Sequence, residues 1–154
     1  MTTWASAELT SIGAVEELQI APRRRDGTLR NPVIIWVVRH RDDLYVRSGY
    51  GNTAAWYRGT QVRHEGHIWA GGIEKDVSFV EEPDPTLNDA LDAVYRTKYG
   101  HYEARFVNTI VSPEARAATL KLVPRSTPRW IVASTTLTPR PRTATATVRL
   151  SSAR

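Results

Sequence analysis

With 154 residues the chain is long enough for one ordinary domain and too short for two, and its 41% hydrophobic content excludes wholesale disorder. The lack of cysteine excludes disulfides, thiolate metal sites and a cysteine nucleophile. The net charge of +5 comes from six arginines that follow Pro124 with no acid among them; the remaining 15 basic residues face 16 acids, and a body of −1 argues against a nucleic-acid partner.

Ser6 to Ile12 reads as an opening helix, with Ser6 as its cap, Glu8 near its positive end and Gly13 closing it. Val15 to Ala21 is a first strand, followed by a turn at Asp26-Gly27. Val33 to Val38 is an unbroken, largely β-branched apolar run that predicts a buried central strand, paired as a hairpin with Leu44 to Ser48. After a loop at Gly49 to Thr53, Ala54 to Arg58 predicts one helical turn. His67 to Ala70 and Ile73 to Glu81 predict a second hairpin about Gly71-Gly72.

Asp84 and Pro85 open the longest helix, which Gly100 ends; Leu87, Leu91, Val94 and Lys98 share one side, with Tyr95 close by. Ser112-Pro113 opens a shorter helix, and Thr119 to Val123 is a closing strand. This divides the chain into one domain over 1–124 and a basic Ser/Thr/Pro/Arg-rich tail over 125–154, which is expected to be disordered although Trp130 to Ala133 could join a core. Five or six strands against one long helix predict an α+β domain, a small antiparallel barrel with short helices over its ends. The opening residues carry neither the basic start nor the apolar run of a secretion signal, and no apolar stretch approaches a membrane span, so no membrane partner and a cytoplasmic location are expected.

Several runs resemble a known family. Glu17 to Arg23, Tyr45 to Ser48, Ala55 to Arg58, Leu87 to Arg96, Lys98 to Gly100 and Ser112 to Arg116 are similar to DUF2255 proteins, a likeness that covers nearly everything from Trp4 to Arg125. More widely, the stretch Arg25-Asp26-Gly27, Arg30, the apolar run, Ser48, the Gly49–Gly51 loop and Ala55-Trp56-Tyr57 resembles the split β-barrel proteins of the deazaflavin-dependent nitroreductase type. The chain departs from that pattern at Asp26, which stands for an uncharged small residue, and at Leu29, which stands for a proline.

The resemblance implies a homodimeric split barrel and an oxidoreductase that uses FMN or F420 on a small molecule, the ring supplying the hydride chemistry. A cofactor-free small-molecule binder on the same barrel is the alternative. On this likeness Arg25, Arg30 and Arg47 would converge on an anionic cofactor tail, since guanidinium donates paired hydrogen bonds to phosphate. Ser48, Gly49 and Gly51 would let backbone amides approach it. Trp56 and Tyr57 would wall the ring, although a large apolar residue in a short helix equally suits a core. Tyr99 and Tyr102 would meet the substrate, or else seal the end of the long helix. His64 and His67, three apart with no third ligand nearby, do not make a metal site.

Overall fold

Residues 3–125 are described by the structure, a computed structural model. Helix α1 spans Ser6–Ala14, followed by strands β1 (Glu17–Pro22), β2 (Val33–Trp36), β3 (Val38–His40) and β4 (Asp43–Arg47). A short 3-10 turn, Gly51–Thr53, leads into α2 (Ala55–Arg63), β5 (Glu65–Ala70) and β6 (Ile73–Glu81). Helices α3 (Pro85–Tyr99), α4 (Ala104–Ile110) and α5 (Pro113–Arg116) precede the last strand, β7 (Thr119–Pro124).

The strands form one antiparallel sheet in the order β2-β1-β5-β6-β7-β4-β3. β2 and β3 lie at opposite edges of that order, yet only Val37 separates them in the chain. A sheet whose two edges are joined by one residue must curl round on itself. The seven strands therefore make a nearly closed barrel with helices packed against it, an α+β fold of the split-barrel type.

This seam corrects the reading of Val33 to Val38 as one buried central strand. The strand breaks at Val37 because helix α3 takes its backbone groups: the Val37 amide donates to Tyr99 Oη (3.1 Å) and its carbonyl accepts from Lys98 Nζ (2.6 Å). Only Val38 to His40 pairs with β4, so the expected hairpin is half as long as the run suggests. β2 is an edge strand, which leaves Ile34 62% exposed.

Two apolar clusters straddle the sheet. Inside the barrel, Leu18, Ile20, Val37, Leu44, Val46, Ile68, Phe79 and Leu122 pack together, and Trp4 closes one end with its Nε1 donating to the Leu122 carbonyl (2.9 Å). Outside, Val38 and Tyr45 pack on Leu91, Tyr95 and Tyr99 of α3 and on Val107 and Ile110 of α4. β4 is therefore covered on both sides: Leu44 and Val46 face the barrel, Tyr45 and Arg47 face the helices.

Local signals explain most element ends. Asp84 accepts from the Thr86 amide with Pro85 in the first turn, and Ser112 Oγ accepts from the Ala115 amide with Pro113 likewise. Gly71 and Gly72, both at positive φ, make the β5–β6 turn. At α1, however, the cap is Ala5 rather than Ser6; Glu8 accepts from the Ala5 amide, and the helix runs on to Ala14. α2 is nine residues rather than one turn, and α4 was not expected. The chain stays on the barrel as far as Arg125, whose amide donates to the Asp76 carbonyl (2.9 Å); the rest of the tail, with Trp130 to Ala133, lies outside the described residues. No helix among the described residues is long and apolar enough to cross a membrane.

Candidate functional site

A cleft of about 560 Å³ opens where β2 passes the end of β4. Its walls are Val33, Ile34, Ile35 and Trp36 from β2, Arg47 to Tyr50 beyond β4, Ala54 and Trp56 at the start of α2, Tyr102, and Phe106, Thr109 and Ile110 from α4. Four consecutive residues of a strand line one cleft only when the strand presents its edge, because its side chains alternate between two faces. β2 has a neighbour, β1, on one side alone, so its free backbone edge borders the cleft.

Polar groups are few here, and one is conspicuous. Ser48 is 1% exposed and its Oγ has no hydrogen-bond partner among the described residues. A buried hydroxyl without a partner costs about 1–3 kcal/mol, and the residue that bears this one belongs to the cleft wall. Gly49 beside it allows a close approach of the loop to α4, since a Cβ there would lie 3.3 Å from Thr109 Cγ2.

Trp36 forms one flat wall. It stacks on Tyr99 with ring centroids 3.9 Å apart and planes within 4°, and tilts against Tyr102 at 5.3 Å. Tyr102 Oη donates to Glu16 Oε1 (2.6 Å), while Glu16 Oε2 lies 2.9 Å from His101 Nε2. The hydrogen bond from Tyr102 holds the Glu16 carboxyl below its usual range, and the same bond pushes the Tyr102 hydroxyl up.

A second, smaller cleft of about 320 Å³ shares Val33 and Trp56 with the first and adds Pro22, Arg24, Arg30, Asn31 and Ala55. The stem of Arg30 lies on α2 at Gly59, where a Cβ would come within 2.9 Å of Arg30 Cδ. Only a residue without a side chain lets Arg30 lie there. Arg24 is steadied by donating to the Leu29 carbonyl (2.7 Å).

The candidate residues thus separate. Ser48, Gly49, Trp56 and Tyr102 meet in the main cleft, and Arg30 stands in the adjoining one. Arg47 borders the main cleft but is not the solvated strand-end arginine that was expected: it is 2% exposed and all five guanidinium donors are committed. Nε donates to Thr119 Oγ1, Nη1 to Asp92 Oδ1 and the Ile110 carbonyl, and Nη2 to the carbonyl and side chain of Asn88. Nothing is left over for a phosphate.

Arg25 is exposed on the 23–29 turn, outside both clefts. Gly51, at φ +67°, packs against Glu114 of α5 and serves the loop's shape. Tyr57 faces the barrel interior, meeting Trp56 only edge to face. Tyr99 is buried behind Trp36, its hydroxyl donating to the Glu16 carbonyl, so of the two tyrosines only Tyr102 reaches the cleft. Asp26 accepts from the Thr28 amide (3.0 Å) and hydroxyl (2.7 Å), capping its turn. His64 is the left-handed cap of α2, and His67 pairs with Asp76 at 2.7 Å.

Sequence reasoning missed the β2 wall and α4. Trp36 and Ile35 were hidden by being read as core, and Phe106 with Ile110 sits in a helix of only seven residues. The spacing Phe106, Val107, Ile110 was the available signal, and it is too short to stand alone.

The DUF2255 family profile, described as an uncharacterized protein conserved in bacteria, matches residues 8–122. This chain belongs to that family. No curated protein matches it. Among solved structures, this DUF2255 chain is similar to an F420 reductase at 14% identity and a TM-score of 0.53, covering 80% of this chain and 97% of the other. It is also similar to HutZ, the heme storage protein from Vibrio cholerae, at 14% identity and a TM-score of 0.58, over 82% and 93% of the two chains. A conserved hypothetical protein from Mycobacterium tuberculosis matches at 13% identity and a TM-score of 0.54, over 81% and 83%. At such identities the likeness is one of fold, and it places this DUF2255 chain among the split barrels.

Proposed function

We propose that this DUF2255 chain binds a flat flavin-type ring, FMN or F420, in the main cleft and acts as an oxidoreductase on a small molecule. The observation that carries the reading is an aromatic and aliphatic cleft bordered by the free edge of β2, with the buried hydroxyl of Ser48 in its wall. Such a cleft suits a planar heterocycle with a polar edge: Trp36, Ile35, Trp56 and Phe106 offer apolar surface, while Ser48 and the free edge of β2 offer hydrogen bonds. The adjoining cleft with Arg24, Arg30 and Asn31 would hold the anionic arm of the same ligand across Trp56. When bound, the ring supplies the hydride transfer. The protein's own part is to exclude water with its apolar walls and to fix the polar edge at Ser48.

The donor set favours a flavin-type ring over a heme: the lining has no histidine, cysteine or methionine, and of its two tyrosines Tyr102 is engaged by Glu16 while Tyr50 is exposed at the mouth. The mouth also carries exposed Ile34, Tyr50 (79% exposed) and Phe106. A second copy of the chain would cover them and complete the cleft, giving a homodimer of twice 17.3 kDa by sedimentation. Titration of purified protein with FMN and with F420, followed by ring absorbance and calorimetry, tests the reading. Saturable one-to-one binding is expected for one of them. Failure of both to bind, with a small neutral aromatic raising Tm instead, would promote the cofactor-free alternative.

A further inference from the structure

At the mouth of the cleft, three residues from two distant parts of the chain form a directed hydrogen-bond chain. Glu16 lies between α1 and β1, and His101 and Tyr102 follow α3. Tyr102 has one hydroxyl proton, and the 2.6 Å contact gives it to Glu16 Oε1. The second carboxylate oxygen is occupied by His101 Nε2 at 2.9 Å. A carboxylate in this position can only accept, because its lowered pKa keeps it ionised through the neutral range. Tyr102 is one of the residues that line the cleft, and with its only proton committed to Glu16 its hydroxyl oxygen has nothing but lone pairs left to offer a ligand.

We infer that Glu16, held by His101, makes Tyr102 a hydrogen-bond acceptor toward the cleft, so that the site selects a ligand edge carrying an N–H or O–H donor. This rests on the reading of the cleft as a ring-binding site and adds the polarity of the edge that the ring must present. Glu16 is a positioning residue, acting through Tyr102. The pairing also gives the cleft two polar corners of different character. Ser48 is able to donate or accept, whereas Tyr102 is confined to accepting. A ligand with acceptors on every edge would leave the Tyr102 lone pair facing another, and such a mismatch is the stronger discriminator between analogues.

The test compares FMN with N3-methyl-FMN, which lacks the ring N3–H, and oxidised FMN with reduced FMN, which gains an N5–H. The wild type is expected to favour the donor-bearing form in at least one of these pairs by about tenfold. Tyr102→Phe removes the acceptor, and Glu16→Ala keeps the hydroxyl but releases its proton; both should bring that ratio to within about twofold of one. Glu16 is exposed and Tyr102 half-buried, and far-UV circular dichroism checks that the fold is kept. A ratio near one in the wild type, or one unchanged in both variants while FMN still binds, overturns the inference alone. If FMN binds to none of the proteins, the ring-binding reading falls and takes this inference with it.

Discussion

Arg47 Nη1 lies 2.6 Å from Asp92 Oδ1 in an ion pair whose arginine side chain is fully shielded from solvent. Asp92 also accepts from Arg116, and Asn88 and Thr119 complete the set around the guanidinium. Strand β4, helix α3 and the start of β7 are thus tied at one point beside the cleft. Removing one partner of a buried pair leaves the other charge and several acceptors without donors. Arg47→Ala is therefore expected to lower stability by about 3–5 kcal/mol. Urea unfolding measures it, and a loss below about 1 kcal/mol would show that the arginine is not the tie described.

Much of the fold is legible where a local signal decides the geometry. Asp84-Pro85, Ser112-Pro113 and Gly71-Gly72 each set an element end through their own backbone chemistry, and the structure keeps all three. The seam at Val37 is different, since it depends on Tyr99 and Lys98, residues 62 and 61 positions away. No local pattern reports such a contact. Arg47 misled for a related reason: an arginine at a strand end is ordinarily solvated, and only the arrival of α3 and α4 from later in the chain buries it. Family resemblance singles out Ser48, Gly49, Trp56 and Tyr102, which the structure brings to one cleft, whereas the β2 wall waited on the barrel's closure.

Lys98 gives a pH dependence with a definite sign. Burial against the Val37 carbonyl and Tyr99 lowers its pKa from 10.5 to about 8, with Glu16 opposing the shift. Between those values the unfolded chain still holds the proton that the folded protein has released, so stability rises with pH across that window. Urea midpoints measured from pH 7.5 to 9.5 should climb in the wild type and stay flatter in Lys98→Met. An identical profile in both proteins would mean that Lys98 is not buried at the seam.

The adjoining cleft separates the two parts of the ligand. Riboflavin has the flavin ring without the phosphate, so an arginine that holds only the anionic arm should matter for FMN alone. Arg30→Ala is expected to weaken FMN about tenfold and leave riboflavin unchanged, the scale of one hydrogen bond to a charged group. Asp26→Ser should change neither affinity, because Asp26 is engaged with Thr28. Equal losses for FMN and riboflavin in Arg30→Ala would move the residue from the phosphate to the packing of α2 against the 23–29 turn.

Ser48 offers the sharpest separation of binding from folding. Its hydroxyl is buried without a partner among the described residues, so the fold they form gains nothing from it and bears part of its desolvation. Ser48→Ala should therefore leave stability within about 0.5 kcal/mol of the wild type or raise it slightly, unlike Arg47→Ala one residue away. Ligand affinity should move the other way. If the hydroxyl meets the polar edge of the ring, FMN and riboflavin should both weaken by about fivefold, because both carry that edge and the loss is one neutral hydrogen bond. The joint pattern is what identifies a residue kept for its ligand: no cost to the fold, an equal cost to two ligands that differ only in the phosphate. Calorimetric titration and urea unfolding of the same variant supply both halves. A destabilised variant with normal affinity would mean that the hydroxyl finds its partner within the protein, and the ring would then have to be placed elsewhere in the cleft.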